Sequence, residues 1–174
     1  MADIIILPGI GNSGDTHWQT LWQRDDAAMR RFRPADWDRP DLADWIAAID
    51  REIAASPAPP VLVAHSLACL AVPHVRRRVA GAFLVAVPDP AGPAFPAEAA
   101  GFADVPAGPL GFPALIVASS DDPFGTTDHA RRRAGLWGSG LVEIGARGHV
   151  NGASGLGAWP EGRNLLHAFV AGLG

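Results

Sequence analysis

The chain has 174 residues, near the usual size of one domain, and 48% of them are apolar, enough to supply a substantial core. Its net charge of −4 comes from mixed charges, and basic residues never run longer than the triplets Arg76 to Arg78 and Arg131 to Arg133, both in segments that read as helical. Those properties argue against nucleic acid or an anionic membrane as partner, and no apolar stretch approaches the roughly 20 residues that span a bilayer.

The single cysteine, Cys69, cannot form an internal disulfide, and the N-terminus lacks the charged and apolar runs of a signal peptide, so the expected location is cytoplasmic. All 14 Lys and Arg residues are arginine, and Ala, Gly and Pro are abundant, which points to a GC-rich bacterial coding sequence. No repeat or linker divides the chain, and a single domain over residues 1–174 is expected.

In chain order, Ile4 to Leu7 is a short apolar run too short for an amphipathic helix, and it reads as a buried parallel strand. A glycine-rich loop follows, Pro8 to Gly14, and then His17 beside Trp18, both candidates to line a pocket. Leu42, Trp45, Ile46, Ile49 and Ile53 recur at helical spacing, predicting a helix over Leu42 to Ala55 that packs on a sheet. Asp38 is the expected cap, Pro40 suits the first turn, and Ser56-Pro57 and Pro59-Pro60 stop the helix.

Val61 to Ala64 is a second strand, delivered into Ser66 and a further helix. Ala82 to Val87 is a third. Asp89 to Pro113 carries prolines at 90, 93, 96, 106, 109 and 113, so neither helix nor strand persists; it reads equally as a loop over a binding site or as a surface excursion. Ala114 to Ala118 is the next strand, followed by helices over Asp128 to Leu136 and Pro160 to Ala171, with a short strand at Leu141 to Ile144. Alternating β and α elements imply a doubly wound, mostly parallel α/β sheet with helices on both faces.

The run Ala64-His65-Ser66-Leu67-Ala68 has the layout of a nucleophile elbow, in which a sharp strand-to-helix turn exposes a serine hydroxyl above the sheet. The usual G-x-S-x-G glycines are replaced here by Ala64 and Ala68. Taken alone, Ser66 reads as readily as a helix cap. Two later features change that balance: the strand Ala114 to Ala118 leads into Asp121-Asp122-Pro123-Phe124, and His149 lies in a glycine-rich turn 27 residues beyond Asp122. Ser, Asp, His is the chain order of α/β-hydrolases.

The chemistry requires each type. Serine is a poor nucleophile until a neutral imidazole removes its proton, and a carboxylate must fix the imidazole tautomer and stabilise its cation. Ser66, His149 and Asp122 fit those roles. The backbone N–H groups of Leu67 and Ile10 are the candidates for an oxyanion hole.

Gly9-x-Gly11-x-x-Gly14 also fits a dinucleotide-binding turn, but the acid expected about 20 residues on, Asp36, follows an arginine-rich segment broken by Pro34 rather than an apolar strand. A catalytically silent binding protein on the same fold is the other alternative. Histidines are scattered and Cys69 is single, so no metal site is expected. His65 is expected to contact surrounding structure, and His74, His129 and His167 to be ordinary.

The segments PGIGNSGDTHW, AHSLA, ASSDDPF and GHVNGASGLGAWPEG resemble the small serine hydrolases related to retinoblastoma-binding protein 9, with motifs along nearly the whole chain. The resemblance implies a minimal α/β-hydrolase fold without a large cap domain, a triad at Ser66, Asp122 and His149 with the acid immediately before Pro123-Phe124 and Asp121 left as a turn or capping carboxylate, and no cofactor; the expected activity is hydrolysis of a small ester, thioester or amide. It does not carry over an L-x-C-x-E protein-binding motif, because the chain reads Leu67-Ala68-Cys69-Leu70-Ala71.

Overall fold

The computed structural model describes residues 3–173. Six strands form one sheet: β1 (Ile4–Leu7), β2 (Arg30–Arg31), β3 (Val61–His65), β4 (Gly81–Val85), β5 (Ala114–Ala118) and β6 (Gly140–Glu143). Their order is β2-β1-β3-β4-β5-β6, and every ladder is parallel. The helices are α1 (Trp18–Asp25), α2 (Leu42–Ala54), α3 (Ala68–Ala71), α4 (Thr127–Trp137) and α5 (Pro160–Ala171).

The period of two along each strand divides the apolar side chains between two cores. Ile5, Leu7, Leu62, Ala64, Ala82, Leu84 and Ile116 point to the face covered by α2, α3 and α4, where Trp45, Ile49 and Trp137 are buried. Ile6, Val61, Val63, Phe83, Val85 and Val117 point to the opposite face, against Trp18 and Trp22 of α1 and Leu166 of α5. Each Val, Leu, Ile or Phe side chain among them contributes about 1.5–3 kcal/mol on burial. This two-faced burial is why the strands read as continuous apolar runs rather than as alternating ones.

Several local expectations need correction. Asp41, not Asp38, caps α2, its carboxylate accepting from Asp44 N–H at 2.8 Å. The helix after Ser66 is only one turn long before Pro73, which has no N–H to continue the ladder, and the chain tightens to a 3₁₀ turn over Val72–His74. Arg76 to Arg78 therefore lie outside any helix. The arginine-rich segment before Pro34, which did not read as an apolar strand, contributes the edge strand β2, two residues paired to Ile5 and Ile6. Between β4 and β5 the proline-rich segment makes a 3₁₀ turn over Ala97–Phe102, with Ala99 and Phe102 buried and Phe102 edge-on to Trp45 at 5.2 Å. No inserted cap domain interrupts the described residues, and none of their helices is long and apolar enough to cross a membrane.

Strand order reverses between β1 and β3, since the chain moves outward to β2 on one side and to β4, β5 and β6 on the other. The crevice beyond the carboxyl ends of those two strands is where open α/β sheets bind ligands.

Candidate active site

Ser66 leaves β3 at that crevice with φ of 54°, a left-handed conformation rarely adopted by a residue bearing a Cβ. Ala64 and Ala68 are both fully buried, so the small residues flanking the turn serve close strand-to-helix packing without glycine. Gly9, at the end of β1, abuts the turn: a Cβ there would lie 2.9 Å from Ser66 Cβ and 3.1 Å from the His65 carbonyl oxygen. Glycine is favoured at this position by contact, since any Cβ would force the Ser66 turn to shift.

The structure brings Ser66, His149 and Asp122 together. His149 Nε2 lies 2.7 Å from Ser66 Oγ, and His149 Nδ1 lies 2.8 and 3.0 Å from the two Asp122 oxygens. The acceptor-only carboxylate assigns the proton to Nδ1, leaving Nε2 to accept from the serine hydroxyl. Asp122 Oδ1 also accepts from Phe124 N–H at 2.9 Å, and the intervening Pro123 offers no competing donor. The side chains of Asp122 and His149 are 2% and 9% exposed, so this pair is shielded from water.

Asp121 turns the other way. It accepts from Ser119 Oγ at 2.8 Å and from Gly148 N–H at 2.7 Å, tying the β5 turn to the loop that carries His149. Those donors hold its carboxyl below the usual range, with the Ser119 hydroxyl contributing most.

A cavity of about 340 Å³ opens over Ser66, lined among others by Ile10, Leu67, His17, Phe95, Phe124 and Asn151. Ile10 and Leu67 both reach it, and among the described residues neither backbone N–H has a hydrogen-bond acceptor. The loop carrying Ile10 is held from behind. Arg31 donates to Asn12 Oδ1, the Ser13 carbonyl, Thr20 Oγ1 and Gln23 Oε1. Buried Gln19 accepts from Ser13 Oγ and donates to the carbonyls of Leu7 and Val63, joining the ends of β1 and β3 to the loop. Sequence reading passed over both residues; their type fits many roles, and only the fold places acceptors around them.

Of the two expected pocket residues, His17 lines the cavity and Trp18 does not. Trp18 is buried in an aromatic cluster with Trp22 and Trp159 at centroid distances of 4.5 and 5.2 Å. His17 caps α1 by accepting from Gln19 N–H at Nδ1, and burial pushes its pKa down to about 4. His65 also borders the cavity, and burial holds it neutral, well below the ordinary histidine value. Cys69 is buried beneath the elbow with its thiol pushed upward by desolvation, which makes it an unreactive neighbour. The Pro8 to Gly14 loop does not open directly into a helix as a dinucleotide-binding turn does, since α1 begins only at Trp18. Asp36 is engaged with the N–H groups of Asp38 and Arg39 in its own turn.

A model of the serine hydrolase family matches residues 4–168, and the chain belongs to that family. It is similar in structure to a YdeN-like hydrolase from Pectobacterium atrosepticum, with 33% identity and a TM-score of 0.88 over 99% of this chain and 92% of that one. The ydeN gene product of B. subtilis is similar at 19% identity and a TM-score of 0.81, over 98% of this chain and 100% of that one. The esterase RhEst1 from Rhodococcus sp. shares 16% identity and a TM-score of 0.70 over 99% and 91% of the two chains. These last two show the shared fold. No curated protein matches the chain. The molecule is thus a small serine hydrolase of the α/β-hydrolase fold.

Proposed function

We propose that the chain hydrolyses a small ester, thioester or amide through an acyl-enzyme, with Ser66 as nucleophile, His149 as general base and Asp122 orienting the imidazole. The observation that carries this reading is the hydrogen-bonded line from Asp122 through His149 to Ser66 beneath a cavity of ligand size. As Ser66 Oγ attacks the carbonyl carbon, its proton passes to His149 Nε2, and the new oxyanion accepts from the N–H groups of Ile10 and Leu67. His149 then gives that proton to the leaving oxygen, sulfur or nitrogen as the acyl bond breaks. Water, deprotonated by the same imidazole, attacks the acyl-Ser66 carbonyl, and His149 returns that proton to Ser66 Oγ as the ester bond breaks and the acid leaves.

The motifs shared with the retinoblastoma-binding protein 9 type support a place among those compact hydrolases, acting as one domain over residues 1–174 on a small-molecule substrate. A fluorophosphonate probe tests the nucleophile. Its mass is expected on the peptide containing Ser66, with labelling lost in Ser66→Ala. A label on another serine, or none, overturns the assignment.

A further inference from the structure

His65 and Trp18 approach the base-bearing loop from one side. Side chains alternate along β3, so His65 shares a face with Val61 and Val63 and points toward α1 and α5. On that apolar face a polar ring needs a partner, and His65 Nε2 finds one in the backbone carbonyl of His149 at 2.9 Å. A carbonyl only accepts, so the bond assigns the His65 proton to Nε2. One residue further on, the Trp18 indole N–H donates to the Val150 carbonyl at 2.7 Å.

Two consecutive carbonyls are therefore held by two ring N–H donors, and the backbone between them is unusual. Val150 is fully buried at φ of 49°, a costly conformation for a β-branched residue that persists only where its surroundings enforce it. His17 packs edge-on to His65 at 4.7 Å and fixes the plane of that ring.

We infer that His65 and Trp18 are positioning residues that clamp the strained His149-Val150 backbone, so that the residue preceding the nucleophile sets where the base sits. The inference rests on His149 being the base. Its physical content is alignment: a displacement of about 1 Å at the reacting atoms can cost roughly 100-fold in rate. Neither N–H is spent on the substrate, and Trp18, unlike His65, lies outside the cavity wall, so its variant reads the clamp apart from any change in the pocket.

The test is hydrolysis of p-nitrophenyl acetate, with kcat expressed per active site titrated by fluorophosphonate so that only folded enzyme counts. His65→Leu is expected to lower kcat about 10- to 100-fold; because His65 borders the cavity, KM is read in Trp18→Phe, where it should stay within about twofold. His65→Gln, whose amide N–H reaches about as far as Nε2, should recover kcat to within about threefold of the parent. Trp18→Phe, which keeps the aromatic packing and loses the donor, should show a kcat-only loss of the same size and decides the matter if His65→Leu does not fold. Unchanged kcat in both donor-deleted variants, or a His65→Gln as slow as His65→Leu, overturns the clamp. Wild-type hydrolysis by Ser66→Ala or His149→Ala would instead overturn the underlying triad, whatever the His65 variants do.

Discussion

The connections after β1 and β3 differ sharply from the one after β4, although all leave the same edge of the sheet. The first two are pressed together, Gly9 against Ser66, whereas left-handed backbone is common to all three, at Gly11, Asn12 and Ser66 and also at Ala86. The connection from β4 to β5 is long and rich in proline and is tied down at a few points: Asp89 N–H to the Phe124 carbonyl, the Trp137 indole N–H to the Pro106 carbonyl, and buried Phe102. The tight pair has no freedom to spare, which suits groups that must meet within tenths of an ångström. The long connection contributes Phe95 and Pro96 to the cavity wall, where side-chain shape matters more than backbone position. The proposed chemistry thus draws on the first two connections, and part of the cavity wall on the third.

The largest effect that would break this division is at the elbow. Ser66→Ala should lower kcat by about four to six orders of magnitude with circular dichroism and melting nearly unchanged; substantial residual turnover would place the nucleophile elsewhere. Next come the adjacent carboxylates. Asp122→Asn should cost up to about four orders of magnitude in kcat on an activated ester by favouring the wrong imidazole tautomer. Asp121→Asn should cost far less, because Asp121 braces loop backbone. The reverse ranking would exchange their roles.

Gly9→Ala forces a Cβ against Ser66 Cβ and should lower kcat about 10- to 100-fold. Phe95→Ala, in the loosely tied segment, should change KM among esters of different acyl length by only a few-fold, with kcat for the smallest ester almost unaffected. Equal losses of kcat in the Gly9 and Phe95 variants would erase the distinction between the two regions.

The smallest expected effect concerns pH. His17 and His65 are both depressed by burial in the folded state, so acid favours the unfolded chain, whose histidines bind protons first. Their contribution is complete above pH 6.5 and is lost as pH falls from there toward about 4, where His17 titrates in the fold. Urea midpoints should drop across that window, with a shallower slope in His17→Gln. A slope unchanged by that substitution would deny His17 its part.

The sequence was most legible where one physical cause acted alone. Ile4 to Leu7 and Ala114 to Ala118 read as strands at their observed bounds because burial on both faces demands unbroken apolar runs. Pro160 to Ala171 read as a helix because proline at its start and apolar spacing agree. β2 was not legible: two arginines pair at the sheet edge through backbone that carries no mark in side-chain type. Nor was α1, whose buried positions are mainly Trp18, Gln19 and Trp22, too few for a periodic stripe.

At the site, residue type and chain order nominated Ser66, Asp122 and His149, because nucleophile, acid and base each demand a particular functional group. The choice between the two carboxylates rested on the resemblance, which puts the acid immediately before Pro123-Phe124. What the tertiary structure alone decided was every contact made across long stretches of chain. His65 meets the His149 carbonyl across 84 residues and Trp18 meets the Val150 carbonyl across 132. Such pairings obey no sequence spacing. A ring N–H on an apolar face states only that it needs an acceptor, and which backbone oxygen answers is fixed by how the strands are ordered and the helices packed upon them.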